Sequence, residues 1–233
     1  MGQLIQIRRP DGGSCPAYLS ASEAPGAPGL VVVQEWWGLN EQIKTTADRF
    51  AKAGYRALVP DLFRGKRASD ADEASHLMQG LNFVDAAEQD IQGCVSYLKD
   101  KSSKIGVTGF CMGGALTLLS ALRVKGMDAG GCFYGIPPRA VADPSEISIP
   151  LILHFAAQDD WCTPAVVDGL EADLKLSKSR FELHRYPGQH AFVNEARPEV
   201  YDAKNAELAW ARTLAFFDRT LLNRTQLDRS QKA

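Results

Sequence analysis

Short unbroken apolar runs alternate with stretches of helical periodicity along most of this chain, and few folds satisfy that pattern. Leu30-Val31-Val32-Val33 is apolar at every position, as a strand buried on both faces of a parallel sheet must be. Asn40 is placed to cap a helix whose apolar face carries Ile43, Ala47 and Phe50, and Gly54 stands where its C-terminal cap belongs. A strand over 56–59 stops at Pro60, a helix presents Ala87, Ile91, Cys94, Val95 and Leu98, and a strand over 104–108 follows. A helix from Met112, strands over 131–134 and 149–155, a helix opened by Thr163-Pro164 and a strand over 181–186 continue the series. A last helix carries Ala206, Trp210, Leu214, Phe217 and Leu221. Such alternation, joined by right-handed crossovers, predicts an α/β fold: a mostly parallel central sheet with helices on both faces. Ahead of it, Ile5 and Ile7, then Cys15, Ala17 and Leu19, flank Asp11-Gly12-Gly13 and predict two antiparallel edge strands.

A chain of 233 residues with 45% hydrophobic composition can bury one large core. The expectation is a single domain over residues 1–222 and a polar tail over 223–233. Twenty-six basic against 28 acidic side chains leave a formal charge of −2, so no global field attracts nucleic acid or an anionic membrane. The N-terminal stretch lacks an export signal and no apolar run reaches the length of a membrane span, which predicts a cytoplasmic protein. Five cysteines without close pairing or C-x-x-C spacing suggest neither disulfides nor a metal site.

One cysteine stands apart. Gly109-Phe110-Cys111-Met112-Gly113-Gly114 follows an apolar strand and opens a helix, the context of the nucleophile elbow G-x-S-x-G with Cys in place of Ser. The glycines fit a turn so sharp that side chains two residues either side of the nucleophile would collide. The helix N-terminus aims its free N–H groups at the sulfur and favours thiolate. A phosphate loop would need G-x-x-x-x-G-K-[ST] or a full G-x-G-x-x-G, and neither is present.

In this architecture ligands sit beyond the carboxyl ends of the strands, and the acid and histidine follow the nucleophile in that order. Of four histidines, His154 and His184 fall inside predicted strands and His76 in a helical or irregular segment; only His190 occupies a loop after a strand. The strand over 149–155 runs on to Asp159-Asp160. Asp159 is the favoured orienter on its spacing from the strand, and Asp160 the solvated cap. After the first parallel strand comes Gln34-Glu35-Trp36-Trp37-Gly38. The backbone N–H groups of Trp36 and Met112 are the implied oxyanion donors. A glutamate at the end of a buried strand, as Glu35 is, needs partners or a shifted pKa.

Together, Gln34-Glu35-x-x-Gly38, Pro60-Asp61-Leu62-Phe63, the Cys111 elbow, Phe133-Tyr134-Gly135, Gln158-Asp159 and Gly188-x-His190-x-Phe192 resemble the dienelactone hydrolase (carboxymethylenebutenolidase) family. The resemblance implies a lidless α/β-hydrolase without cofactor or metal, acting on small lactones or activated esters as a monomer or small homo-oligomer. It implies Cys111 as nucleophile, His190 as base and acid, Asp159 as orienter, and Glu35 as the residue that contacts the resting thiol and helps deprotonate it. Trp37, Phe63, Tyr134 and Phe192 are the candidate substrate contacts, a set suited to an apolar or aromatic acyl group. The arginines with which well-studied members hold a substrate carboxylate have no counterpart at matching places: 69–81 contains none, and after His190 the first is Arg197. Two other readings exist on the same pattern: a non-catalytic small-molecule binding protein, which an ordinary, unreactive Cys111 thiol would favour, and a nucleotide-binding protein, which retention on an adenine-nucleotide resin would favour.

Overall fold

The parallel sheet predicted from the apolar runs forms, and its carboxyl edge gathers the residues singled out above. The computed structural model describes residues 2–222; the tail expected at 223–233 lies outside the described residues. The chain opens with β1 (Gln3–Arg8) and β2 (Ser14–Ala21), then β3 (Gly29–Val33), α1 (Glu41–Lys52) and β4 (Arg56–Pro60). Next come α2 (Ala71–Gln79) and α3 (Phe83–Asp85), a π-helical turn over Ala86–Ile91, and α4 (Gln92–Lys99). The second half is β5 (Ile105–Phe110), α5 (Met112–Arg123), β6 (Ala129–Phe133), β7 (Leu151–Gln158), α6 (Pro164–Leu176), β8 (Phe181–Gln189) and α7 (Ala203–Phe217).

One eight-stranded sheet runs in the order β1-β2-β4-β3-β5-β6-β7-β8. The pairs β1–β2 and β2–β4 are antiparallel and the others parallel. The whole of β3 is buried, and its alternation divides the two cores. Leu30 and Val32 pack with Ile43, Phe50 and Phe217 from α1 and α7, while Val31 and Val33 pack with Val95, Leu98 and Leu116 from α4 and α5. Burial of each such side chain contributes roughly 1.5–3 kcal/mol. Asn40 caps α1, accepting from the Ile43 N–H at 3.1 Å, and Thr163 accepts from the Val166 N–H ahead of Pro164.

β8 outruns its prediction. It continues through Pro187-Gly188 to Gln189, a dipeptide that reads as a turn. As the last strand of the sheet, β8 pairs only with β7, and an edge strand tolerates proline because its outward position has no ladder bond to lose. β7 also extends to Gln158, with a register shift between Ala156 and Gln158. These two extensions deliver Asp159 and His190 side by side. Among the described residues, no helix is long and apolar enough to cross a membrane.

Candidate active site

Cys111 stands between β5 and α5 with φ 54° and ψ −115°, a backbone conformation that costs a non-glycine residue on the order of 1–3 kcal/mol. The neighbouring glycines make it possible: a Cβ on Gly109 would sit 2.1 Å from the Gly113 carbonyl oxygen, and one on Gly113 would sit 2.4 Å from that of Val33. The Cys111 carbonyl opens α5 by accepting from the Gly114 and Ala115 N–H groups at 2.9 and 3.1 Å. Its side chain is partly exposed at the base of a cavity, whereas Cys15, Cys94, Cys132 and Cys162 are buried.

His190 follows the end of β8. Its Nδ1 donates to Asp159 Oδ2 at 2.8 Å, and the ring lines the same cavity as Cys111. Burial alone depresses this imidazole, but the hydrogen bond to Asp159 and the neighbouring Cys111 and Asp159 outweigh it, and the group is pushed up to about 10. Asp159 is 3% exposed. Its Oδ1 accepts the Trp161 and Cys162 N–H groups at 2.8 and 2.9 Å. Burial raises this carboxyl, yet the His190 bond, the His190 charge and those two amides hold it below its usual value. Asp160 lines the cavity wall, leaving Asp159 alone against the imidazole. His154, expected as a core histidine, is fully buried, with Nδ1 and Nε2 each 2.9 Å from the hydroxyls of Tyr186 and Thr213.

Glu35 is 4% exposed at the end of β3. Its Oε1 accepts from the Tyr134 hydroxyl at 3.1 Å and its Oε2 from Asn194 Nδ2 at 2.7 Å. Burial pushes the carboxyl up, opposed by the Asn194 bond, the His190 charge and the Tyr134 bond. Tyr134 lies edge-on to the His190 ring, centroids 5.0 Å apart. Non-glycine positive φ angles recur here, at Cys111 (54°), Tyr134 (38°) and Ala191 (65°), which concentrates backbone strain at one place.

The cavity in front of Cys111 and His190 holds about 470 Å³, within the range of small-molecule sites. Trp36, Phe83, Ile136, Trp161 and Val200 give it an apolar wall, and Tyr134 and Met112 line it as well. Three of the four expected substrate contacts are elsewhere. Trp37 lies against Trp36, ring centroids 5.4 Å apart, outside the lining. Phe63 is 6% exposed within the α4–α5 core. Phe192 is fully buried beneath Tyr134 and Tyr186, because the left-handed Ala191 turns the chain inward just after His190. Conversely, Arg197 reaches the cavity and, among the described residues, is the one Arg or Lys side chain lining it. Arg197, Met78, Phe83 and Asn194 carry no local sequence signal; a loop asparagine or arginine ordinarily reads as a solvated residue. Among the described residues, no group of three or more His, Cys, Asp or Glu is arranged to hold a metal ion.

Residues 15–221 match the model of the dienelactone hydrolase family. The chain belongs to that family. Relatives include the protein usf of Aquifex pyrophilus, 34% identical over 93% of this chain and 98% of its own length. A putative carboxymethylenebutenolidase of Aquifex aeolicus is 30% identical over the same shares. Carboxymethylenebutenolidase 1 of Cupriavidus pinatubonensis is 28% identical over 90% of this chain and 94% of its own. Among solved structures, a putative dienelactone hydrolase from Klebsiella pneumoniae superposes with a TM-score of 0.85 at 24% identity, covering 94% of this chain and 98% of that one. This places the fold among the α/β-hydrolases. The chain is thus a dienelactone hydrolase-like enzyme, a hydrolase of lactones or esters.

Proposed function

We propose that the hydrolase opens small lactones or activated esters through a Cys111-His190-Asp159 triad and an acyl-cysteine intermediate. The observation that carries this reading is the placement of one imidazole between the elbow cysteine and a buried carboxylate, at the floor of the cavity.

The thiolate of Cys111 attacks the substrate carbonyl carbon. The carbonyl electron pair moves to oxygen, where the N–H groups of Trp36 and Met112 meet it, each donor worth on the order of 3 kcal/mol. Collapse expels the ester oxygen, which takes a proton from His190 unless it leaves as a stable enolate. In a lactone the leaving group stays tethered to the acyl chain. Water then attacks the thioester with its proton passing to His190, and the acid product and Cys111 thiol are restored. Asp159 holds the ring with Nδ1–H inward and Nε2 toward the sulfur. Acylation removes the thiolate that helps keep His190 protonated, so the imidazole becomes more able to act as base when water must be activated. The change of role is driven by the chemistry of the preceding step.

Arg197 lines the cavity with its Nε donating to Glu199 at 2.7 Å, and its remaining guanidinium N–H groups beside the apolar lining suit a flat or aromatic acyl group bearing a carboxylate. The test is a panel of enol lactones, aryl esters and thioesters offered to the native protein and to Cys111→Ser. Turnover of the activated substrates, sluggish turnover of alkyl esters and loss of activity in the variant are expected. Equal rates on alkyl esters and enol lactones, or an active variant, would overturn the proposal.

A further inference from the structure

Among the described residues, Trp161 is the one tryptophan that stands mainly in solvent, 65% exposed. It lies in the turn between β7 and α6 and borders the cavity in front of Cys111. A single exposed apolar side chain needs no explanation, but this one continues an aromatic run. Its ring meets that of Trp36 edge to face with centroids 5.9 Å apart, and Trp36 meets Trp37 in the same manner at 5.4 Å. Its backbone is fixed at the catalytic centre: the Trp161 N–H donates to Asp159 Oδ1 at 2.8 Å, while Asp159 Oδ2 holds His190 at 2.8 Å. An open aromatic surface is thus tied, through one carboxylate, to the imidazole.

We propose that Trp161, with Trp36 edge-on beside it, forms a stacking subsite for the departing alcohol, and that the enzyme therefore takes open-chain esters of aromatic alcohols as well as lactones. This deepens the proposed function and rests on its assignment of Cys111 and His190. In that reaction His190 gives its proton to the departing oxygen, so the leaving group lies on the His190 side of the acyl carbon. Trp36 carries the N–H assigned to the carbonyl oxygen, and Trp161 belongs to the turn that steadies His190. The two indoles thus border the reacting carbonyl on its oxyanion side and its leaving-group side. A lactone keeps its leaving oxygen tethered to the acyl chain, whereas an open-chain ester places a separate alcohol there and releases it to solvent past an exposed rim.

An indole face stacked on a planar ring is worth up to about tenfold in affinity beyond the area it covers. An aliphatic alcohol of equal acidity offers no ring, so the preference separates stacking from leaving-group chemistry. Trp161→Ala removes the aromatic face and Trp161→Phe keeps part of it. Both retain the backbone N–H that Asp159 accepts, so the orientation of His190 is preserved while the subsite changes.

The experiment compares two esters with the same acyl group, a phenyl ester and a hexafluoroisopropyl ester, whose alcohols are of similar acidity. Values of kcat/KM, which report acylation, are measured for the native protein, Trp161→Ala and Trp161→Phe, and the binding of 2-naphthol to each is measured by calorimetry. Trp161→Ala is expected to lose about tenfold more on the phenyl ester than on the fluoroalkyl ester and to bind 2-naphthol about tenfold more weakly, with Trp161→Phe between it and the native protein. Equal losses on the two esters would mark a merely structural role and overturn the proposal, as would an unchanged preference in Trp161→Ala. Naphthol binding needs no turnover: if the native protein hydrolyses neither ester, the proposed function fails, while naphthol affinity that depends on Trp161 still upholds the subsite and affinity indifferent to Trp161 removes it.

Discussion

Replacing Asp159 by Asn tests the electrostatic design of the site with almost no change in shape. The two Asp159 oxygens have separate duties: Oδ1 accepts two backbone N–H groups, from Trp161 and Cys162, and Oδ2 faces His190 Nδ1. In Asp159→Asn the amide oxygen must stay with the two N–H donors, because turning the NH2 toward them would oppose donor to donor. The amide N–H therefore points at His190 and forces Nδ1 to accept. The ring proton moves to Nε2, on the side facing Cys111, where an acceptor is needed. A comparable carboxylate-to-amide change in a triad costs about ten-thousand-fold in kcat through the wrong tautomer, or about 5.5 kcal/mol of barrier. The His190 pKa, raised to about 10 chiefly by Asp159 and then by Cys111 against the opposing effect of burial, falls in the variant. Stopped-flow kinetics on an activated aryl ester reads the first effect, and the 15N shifts of the His190 ring across pH 5–11 read the second. A variant with kcat within about tenfold of native and an unmoved His190 titration would refute the reasoning.

Two further outcomes are expected. Arg197→Ala raises KM for a carboxylate-bearing ester by about 10–100-fold and leaves a neutral ester of the same shape unchanged, since only the former loses a charge-assisted bond; equal effects on both, read by steady-state kinetics, would remove Arg197 from substrate recognition. Acid weakens the fold through His154: Thr213 donates to the Ala209 carbonyl and so accepts from Nε2, leaving Nδ1 to accept from Tyr186, and burial, then the charges of His184 and Arg212, hold this imidazole well below 6.5. Its folded value is depressed, so its contribution is complete above about pH 6.5 and is lost as pH falls below it, by up to about 1.4 kcal/mol per pH unit; urea titrations at pH 7.5 and 5.5 should show that loss, and a His154→Gln variant should flatten it.

How much of this was legible in the sequence differs between fold and site for physical reasons. Burial on both faces of a parallel strand leaves an unbroken apolar run, so β3 and β5 announce themselves, and the Cys111 elbow does so through close backbone contacts that only glycine permits. Asp159 and His190 were readable as loop residues after strands, although Pro187 concealed that β8 runs up to the histidine. Where side chains point after such a strand is not encoded locally. Phe192 was expected at the substrate, but the positive φ of Ala191 sends it into the core. Phe63 likewise turns into the α4–α5 core. Asn194 and Arg197 take their meaning from Glu35 and the cavity, contacts that span well over a hundred residues in the first case. Glu35 was recognisable as a buried carboxyl needing partners; which partners it had depended on two loops whose paths no periodicity describes.

The central claim is that Cys111 carries the acyl group. Rapid-quench mass spectrometry of the protein mixed with an activated aryl ester tests it directly. The account predicts a transient mass increase equal to the acyl group, localised to the Cys111 peptide, released by neutral hydroxylamine as a thioester and absent in Cys111→Ala. Turnover at the native rate by Cys111→Ala, or an adduct that maps to another residue, would contradict it.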